Sequence, residues 1–401
     1  MDFAHDPNHK KHTPIEAPLP VIKVVGLGGG GCNAINRMIA FGMKGVEFIA
    51  CNTDKQALEN SLADVVVQLG PKSTRGLGAG GHPAIGEKAA EESFQALADV
   101  LDGADMVFLA AGMGGGTGTG AVPVAARVSK TIGAVTIGIV TTPFSFEMGR
   151  RQKNAALGLQ KLREFTDTMI VVPNDRLLEV APEDLPLEMA FKLADDVLRQ
   201  GVSGISELLT ETGLINVDFA HVRHIMSLGG GALMAVGTGE GDDKAVKAVK
   251  QALHHPLLDE IDLTTADGII ASFSGGEDLT FSEVADALTF LHNETENHAE
   301  IIPGVVNDPN LSERSQVILI ITGLGAMPIE QVIPGAERFL AEVSSQKRAE
   351  KREQNSPKLT SDRPDPLKPE KADPFTYAQP HTALSAVDLD LPAFLRKRVR
   401  G

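Results

Sequence analysis

Short apolar runs alternate with helix-like segments through the first half of the chain. The runs consist mainly of Val, Ile, Leu and Ala, and they lie at residues 21–25, 46–51, 65–69, 105–111, 134–140 and 168–172. Such runs are typical of strands that are buried on both faces of a parallel sheet. The alternation therefore predicts an α/β domain with a Rossmann-like parallel sheet.

A longer amphipathic segment follows at residues 185–212. Its apolar residues recur every three to four positions, which predicts one long helix packed between two layers. These residues are Met189, Leu193, Val197, Leu198, Val202, Ile205, Leu208 and Leu209. Gly201 and Gly204 lower helix propensity by about 1 kcal/mol each, so we expect close backbone packing there.

Residues beyond 217 predict a second, smaller α/β module. Its strands are expected at 232–238, 268–273 and 316–322, and its helices at 243–254 and 280–296. Residues 344–380 are rich in Lys, Glu, Pro and Ser, and such a segment buries too little apolar surface to offset its ordering entropy. We therefore predict an N-terminal extension (1–19), a first domain (20–184), a central helix (185–212), a second domain (213–342), a disordered linker (343–383) and a C-terminal segment (384–401).

Composition narrows the possible environments and partners. The formal net charge is −16 and the isoelectric point is near 5.1, which argues against a nucleic-acid partner because the phosphate backbone requires a basic surface. Two cysteines, Cys32 and Cys51, are too few for a disulfide framework and predict reduced thiols. We find neither a transmembrane-length apolar run nor a secretory signal, so we expect a cytoplasmic protein.

Three glycine-rich turns separate predicted strands from predicted helices, at residues 26–33, 75–83 and 112–120. A parallel sheet places all three turns at its carboxyl edge, where open α/β folds bind ligands. Glycines expose backbone N–H groups, and the positive end of a helix dipole favours an anion, with Thr117 and Thr119 as extra donors. The turns therefore predict a phosphate site, although a plain tight turn explains any one of them.

The residues alone leave the identity of the phosphate ligand open. Gly26, Gly28 and Gly31 fit the dinucleotide pattern G-x-G-x-x-G, which is a weak signal by itself. Asp54 follows the second strand, where it either holds a ribose hydroxyl or caps the next helix. An NAD-dependent dehydrogenase is therefore one hypothesis. A P-loop NTPase is disfavoured because the Walker A sequence is missing, and C-x-x-C and H-E-x-x-H metal motifs are missing too.

Several motifs in the same order resemble the tubulin/FtsZ family of GTPases in its bacterial cell-division form. The central one is Gly-Met-Gly-Gly-Gly-Thr-Gly-Thr-Gly at 112–120, and others lie at 28–33, 52–54, 75–80, 143–147, 173–175 and 216–220. The resemblance runs from about residue 21 to residue 339. It implies a GTPase domain, a central helix, a smaller α/β domain and head-to-tail filaments that scaffold a division ring at midcell.

The resemblance also implies a GTP or GDP site, with Mg²⁺ accompanying the nucleotide. The phosphates would be held by Gly29, Gly30, Gly31, Cys32, Asn33, Gly116, Thr117 and Gly118. Glu147 and Arg151 would contact the ribose, and Asn174, Phe191 and Asp195 the guanine. A carboxylate at Asp195 suits guanine, because N1 and N2 both donate, a combination that adenine lacks.

In this family a loop after the central helix completes the site of the next subunit. The corresponding residues here are 213–222, and Asp218 matches the first of two catalytic acids. His221 stands in place of the second acid, and a neutral imidazole is a poor ligand for hard cations. The resemblance therefore implies a GTPase, and the replacement by His221 suggests that its turnover is reduced. The alternative is a scaffold that binds GTP without useful turnover. Met148 and Gly149 also depart from the family pattern, so we expect a slightly shifted ribose-side loop.

The C-terminal segment resembles the short peptide through which this family binds membrane-tethering proteins. The residues that carry this expectation are Asp388, Leu391, Pro392, Phe394, Leu395 and Arg396.

Overall fold

The apolar runs of both halves join one ten-stranded sheet, in the order β3-β2-β1-β4-β5-β6-β7-β10-β8-β9. This computed structural model describes residues 19–341 except 148, 180, 183, 211–212, 216, 230, 259–261, 325–328 and 334. The predicted N-terminal extension apart from Leu19, the linker and the C-terminal peptide lie outside the described residues. Within the described part, no helix combines the length and apolar character needed to cross a bilayer.

The first half forms the predicted Rossmann-like layer arrangement. Its elements are β1 (Ile22–Leu27), α1 (Gly28–Ala40), β2 (Glu47–Asn52), α2 (Lys55–Glu59), β3 (Val65–Gln68), α3 (Pro83–Glu92), α4 (Phe94–Leu101), β4 (Met106–Gly112), α5 (Thr117–Ile132), β5 (Val135–Thr142), α6 (Arg150–Leu162), β6 (Thr168–Pro173) and α7 (Asn174–Leu178). All these strands pair in parallel. Alternate residues of β1 enter two cores on opposite faces, one with α1 and one with α5, which explains why its run is apolar except for Lys23.

The central helix α8 (Leu187–Thr210) lies within the predicted segment and joins the two halves through a shared core. Val197, Val202 and Ile205 are buried on it as predicted, whereas Met189 is 44% exposed. Met189 therefore does not belong to the buried stripe, and it lines an open cavity with Arg37 and Phe41 instead. The predicted close packing holds at Gly204, where an added Cβ would lie 2.8 Å from Ile318 Cγ2.

The second half contains more regular structure than its sequence predicts. Its elements are α9 (Phe219–Ser227), β7 (Gly231–Glu240), α10 (Lys244–Leu253), β8 (Gly268–Gly275), α11 (Phe281–Glu294), β9 (Glu300–Asn307), β10 (Arg314–Thr322) and α12 (Ile329–Val332). Strand β9 was not predicted because Pro303 and Gly304 interrupt its pattern. It pairs in parallel with β8 at the edge of the sheet, where a missing N–H donor is tolerated.

Two predicted helix boundaries are wrong. The first helix begins at Gly28 rather than at residue 34, so the glycine-rich stretch is the helix start itself. The sequence from 86 to 101 alone predicts one helix, but the structure has two helices here, α3 and α4, which meet at Ser93. The Ser93 hydroxyl accepts a hydrogen bond from Gly70 N at 2.9 Å, which ties the break to the end of the β3 segment.

The chain returns to the first domain after β10. Ile329, Val332, Ile333 and Ala336 are buried in the same core as α5 and α6. These four residues therefore pack on the first domain, although they follow the strands of the second domain in sequence.

Candidate functional site

A cleft of about 270 Å³ opens at the carboxyl ends of β1 and β4. These strands are neighbours, and their following helices α1 and α5 enter cores on opposite faces of the sheet. This is the switch point of the strand order, where α/β sheets bind ligands. Ten of the predicted site residues line the cleft: Gly29, Gly30, Gly116, Thr117, Gly118, Glu147, Arg151, Asn174, Phe191 and Asp195.

The amino ends of α1 and α5 converge in this cleft. Gly28 has a φ of 70°, and an added Cβ there would lie 2.6 Å from Gly118 N. Leu27, the N-cap of α1, supplies no side-chain acceptor, so the first N–H groups of the helix are left for another acceptor. Two positive helix ends at one point favour an anion.

Three of the predicted phosphate residues do not line the cleft. Asn33 is exposed outside its lining, and Gly31 and Cys32 are buried beneath it. A Cβ on Gly31 would lie 2.2 Å from Ala110 O, so only glycine allows α1 to approach β4. The Cys32 Sγ donates to Gly26 O, and burial raises the pKa of this thiol to about 12. Gly31 and Cys32 therefore support the cleft from below.

Hydroxyl groups fix the second glycine turn. Thr119 Oγ1 accepts a hydrogen bond from Gly114 N at 2.8 Å, and Gly114 has a φ of 98°. Thr117 Oγ1 lies 2.6 Å from Thr53 Oγ1, which follows β2. Thr119 thus orders the loop, and Thr117 is both a cleft residue and a link to the end of β2.

The third glycine turn packs directly on the second. A Cβ on Gly116 would lie 2.9 Å from His82 N, and Asn154 donates to both Gly81 O and Gly114 O. Arg150 contacts His82 Nδ1 from the start of α6. The predicted proximity of the three turns is confirmed, and their convergence on one ligand stays a prediction.

Glu147 and Arg151 form the rim of the cleft on one side. Glu147 accepts a hydrogen bond from Phe144 N at 2.9 Å and pairs with Arg151 Nη1 at 2.7 Å. Its side chain is buried, whereas that of Arg151 is half exposed. Gly149 precedes α6 with a φ of 58°. The expected shift of this loop involves Met148, which lies outside the described residues.

Asn174, Phe191 and Asp195 form the opposite end of the cleft. Asn174 is 4% exposed, and within the described residues its buried Oδ1 has no hydrogen-bond partner. Phe191 is 40% exposed, and its edge meets Phe144 at a centroid distance of 5.3 Å. A half-exposed ring and an unpaired amide oxygen are what a planar polar ligand would cover.

Asp195 is the buried carboxylate at this end. Burial raises its pKa from 3.8 to about 6, and Arg37 opposes that shift. The Arg37 Nε atom lies 3.4 Å from Asp195 Oδ2. Arg37 was missed in the sequence because one arginine on an amphipathic helix gives no signal. Thr141, Thr142 and Pro143 also line the cleft, and their position after a predicted strand could have identified them.

Asp218 and His221 lie away from this cleft lining. Asp218 caps α9 by accepting from Ala220 N at 3.0 Å, and His221 lies in the first turn of that helix. Both are exposed. The predicted loop over 213–222 is therefore helical from Phe219 onward, because Asp218 is an effective N-cap.

The two roles that the sequence leaves open for Asp54 can be compared with these contacts. Asp54 caps α2, since its carboxylate accepts from Gln56 N and Ala57 N, as the helix-cap interpretation predicts. Among the described residues, no group of three or more His, Cys, Asp or Glu could hold a metal ion.

Comparisons with known proteins agree with this architecture. Residues 21–182 match the Tubulin/FtsZ family, GTPase domain, and residues 230–325 match the FtsZ family, C-terminal domain. An empty FtsZ dimer from M. jannaschii is 44% identical, with 77% of this chain and 90% of that chain covered and a TM-score of 0.74. CetZ2 from Haloferax volcanii, solved as a GTPgS-bound protofilament, is 20% identical, with 81% and 99% covered and a TM-score of 0.67, which is a likeness in fold alone.

The two family matches follow each other along the chain, and the FtsZ structure is 44% identical and covers 77% of this chain. The chain therefore belongs to the FtsZ family and has the tubulin/FtsZ fold.

Proposed function

We propose that this protein binds GTP in the β1/β4 cleft and hydrolyses it. The observation that carries the proposal is the combination of two converging helix ends at one end of the cleft with Asn174 and Asp195 at the other. The helix ends would hold the phosphates. The Asp195 carboxylate would accept from guanine N1 and N2, and Asn174 and Phe191 would contact the base.

Among the described residues that line the cleft, each carboxylate that could orient the attacking water is already paired with an arginine. Among its described lining residues the carboxylates are Glu147 and Asp195, and Glu147 is engaged with Arg151 and Phe144 N. We therefore propose that a second copy supplies Asp218, with His221 beside it. A heterologous contact that does not close on itself generates head-to-tail filaments, and each site would then be completed by the next subunit.

Magnesium would enter with the nucleotide. Mg²⁺ usually keeps several waters and binds through substrate phosphates rather than through an all-protein cage. GTP and GDP would then occupy the same cleft before and after hydrolysis.

The filament would scaffold the division ring at midcell, in the cytoplasm. Membership of the FtsZ family supports this role. Asp388, Leu391, Pro392, Phe394, Leu395 and Arg396, which lie outside the described residues, would bind the membrane-tethering partner.

Calorimetry with GTP, ATP and NAD tests the ligand. We expect GTP to bind most tightly and Asp195→Ala to lose about 1.5–3 kcal/mol of that binding, the usual worth of hydrogen bonds to a charged group. NAD binding without GTP binding would instead support the dehydrogenase hypothesis and refute the proposal.

Mixed variants test the completion of the site by a second copy. Asp218→Ala should still bind GTP but hydrolyse it poorly, whereas Asp195→Ala should bind GTP poorly and retain Asp218. In a mixture, Asp195→Ala subunits can present Asp218 to the GTP held by Asp218→Ala subunits. We expect the mixture to exceed the sum of the separate rates, and a merely additive rate would contradict hydrolysis in trans.

A further inference from the structure

One helix, α1, lines the phosphate end of the cleft and contacts Asp195, which lines the other end. The first turn of α1, at Gly29 and Gly30, lines the phosphate end. Arg37 lies about two turns further along the same helix, and its Nε atom is 3.4 Å from Asp195 Oδ2 on α8. Both side chains are largely buried, with 30% of Arg37 and 15% of Asp195 exposed. A single helix therefore connects the phosphate end of the cleft to the carboxylate that is expected to contact the base.

The other charged groups near Asp195 are engaged with partners of their own. On α8, Lys192 pairs with Glu188 at 2.7 Å and Arg199 pairs with Asp196 at 2.7 Å. The remaining groups, on the cleft rim and on α7, form the pairs Glu147 with Arg151 at 2.7 Å, Asp175 with Ser145 N at 2.9 Å, and Arg176 with Glu179 at 3.9 Å. Among the described residues, Arg37 is thus the cation that is directed at Asp195.

We propose that Arg37 is a positioning residue that holds the Asp195 carboxylate in the charge state and orientation that guanine recognition requires. The proposal rests on the proposed function, because it assumes that Asp195 contacts the base. Arg37 acts through Asp195 and lies outside the lining of the nucleotide cleft.

The electrostatics give the proposal a specific consequence. Burial favours the neutral carboxyl group, and Arg37 is the group that opposes this effect on the pKa of Asp195. Without Arg37, the pKa of Asp195 would rise further towards neutrality or above it. A protonated carboxyl group loses one of its two acceptor roles, so guanine binding would weaken at a pH where the wild type still binds well.

The experiment measures GTP and ATP affinity by calorimetry from pH 5.5 to 8.5. Arg37→Met removes the charge and keeps much of the side-chain volume, whereas Arg37→Lys keeps the charge. Lys192→Met is the matched control, because Lys192 and Arg37 line the same neighbouring apolar cavity but Lys192 pairs with Glu188. Circular dichroism checks that each variant is folded, and Arg37→Gln replaces Arg37→Met if the latter does not fold.

We expect wild-type GTP affinity to fall below about pH 6 and that of Arg37→Met to fall at a pH at least one unit higher. The midpoint is the pH at which Asp195 is half protonated. For each pH unit by which the midpoint of Arg37→Met lies above 7, GTP affinity at pH 7 should weaken by about tenfold. Affinity at pH 8.5 should approach the wild-type value, and ATP binding should change little. Arg37→Lys and Lys192→Met should follow the wild-type profile.

Two failures can be told apart. If the wild type prefers GTP, and Asp195→Ala removes that preference, but Arg37→Met has the wild-type pH profile, the role of Arg37 is refuted. If the wild type binds GTP and ATP equally, or Asp195→Ala loses nothing, the proposed GTP site is itself wrong. A uniform loss of affinity at every pH would indicate a merely structural role and would also overturn the inference.

Discussion

Asp195 should destabilise the protein in the absence of nucleotide, because its carboxylate is buried before any base covers it. Burial raises its pKa from 3.8 to about 6. The folded state therefore binds a proton more readily than the unfolded chain does, and ionised Asp195 lowers the free energy of unfolding. The penalty is fully present above about pH 6 and fades as the pH falls towards 3.8. The two pKa values correspond to roughly 3 kcal/mol at pH 7.5 and about 1 kcal/mol at pH 4.5.

Asp195→Asn tests this penalty because it removes the charge and nearly preserves the shape. We expect the variant to be more stable than the wild type by up to about 3 kcal/mol at pH 7.5, and by about 1 kcal/mol at pH 4.5. Urea unfolding without nucleotide measures the difference at each pH. Asp196→Asn is the control, since Asp196 is the next residue on α8 and pairs with Arg199; its loss should not stabilise the protein.

The pH dependence of the difference decides the reasoning. A gain in Asp195→Asn that is the same at both pH values would come from packing or hydrogen bonding rather than from the buried charge. No gain in the free energy of unfolding at pH 7.5 would show that burial of the ionised Asp195 carboxylate does not destabilise the protein. If the gain appears while GTP affinity falls, the carboxylate is held at a cost to stability for the sake of binding.

Three further predictions concern other parts of the chain. Gly31→Ala should lower the free energy of unfolding by about 1–3 kcal/mol, because its Cβ would lie 2.2 Å from Ala110 O. Gly29→Ala should not lower it, because open space surrounds Gly29. Equal thermal unfolding of the two variants would contradict this prediction. His221→Asp should raise GTP turnover without tightening GTP binding, because the gain is confined to the transition state, and an unchanged or lower rate in a GTPase assay would show that His221 is competent or irrelevant. Deletion of residues 384–401 should leave GTP binding intact but abolish recruitment to liposomes that carry a tether protein, and undiminished recruitment would refute the role of that segment.

The first domain was more predictable than the second because its local and tertiary signals agree. The residues of β1, β4 and β5 are buried on both faces, so their runs are short and mostly apolar, with Lys23 in β1 and threonines in β5 as the exceptions. In β9, by contrast, Pro303 and Gly304 are tolerated through tertiary context. An added Cβ on Gly304 would lie 2.1 Å from Leu208 Cδ2, so this glycine reflects contact with α8 and not a turn.

The candidate site was predictable where its residues are defined by the backbone and less so where they depend on side-chain burial. The glycine turns at Gly29 and Gly116 identify the phosphate end from local sequence alone. Two features arise only when α1, α7 and α8 pack together: the Oδ1 of Asn174, unpaired among the described residues, and the contact of Arg37 with Asp195. The resemblance to the tubulin/FtsZ family identified Asn174 and Asp195 as site residues, but it did not indicate Arg37.

The glycines of the phosphate end follow from one packing requirement. Gly28 must approach Gly118 N, Gly31 must approach Ala110 O, and Gly116 must approach His82 N, each at a distance that leaves no room for a Cβ. These approaches join the three turns directly, so the turns form one unit rather than three separate loops. A substitution at Gly28, Gly31 or Gly116 is therefore expected to displace the backbone that this glycine approaches, because each backbone is the packing surface of the next. The spacing of the glycines thus encodes how closely two helix ends can meet, and that distance determines how strongly both can act on one anion.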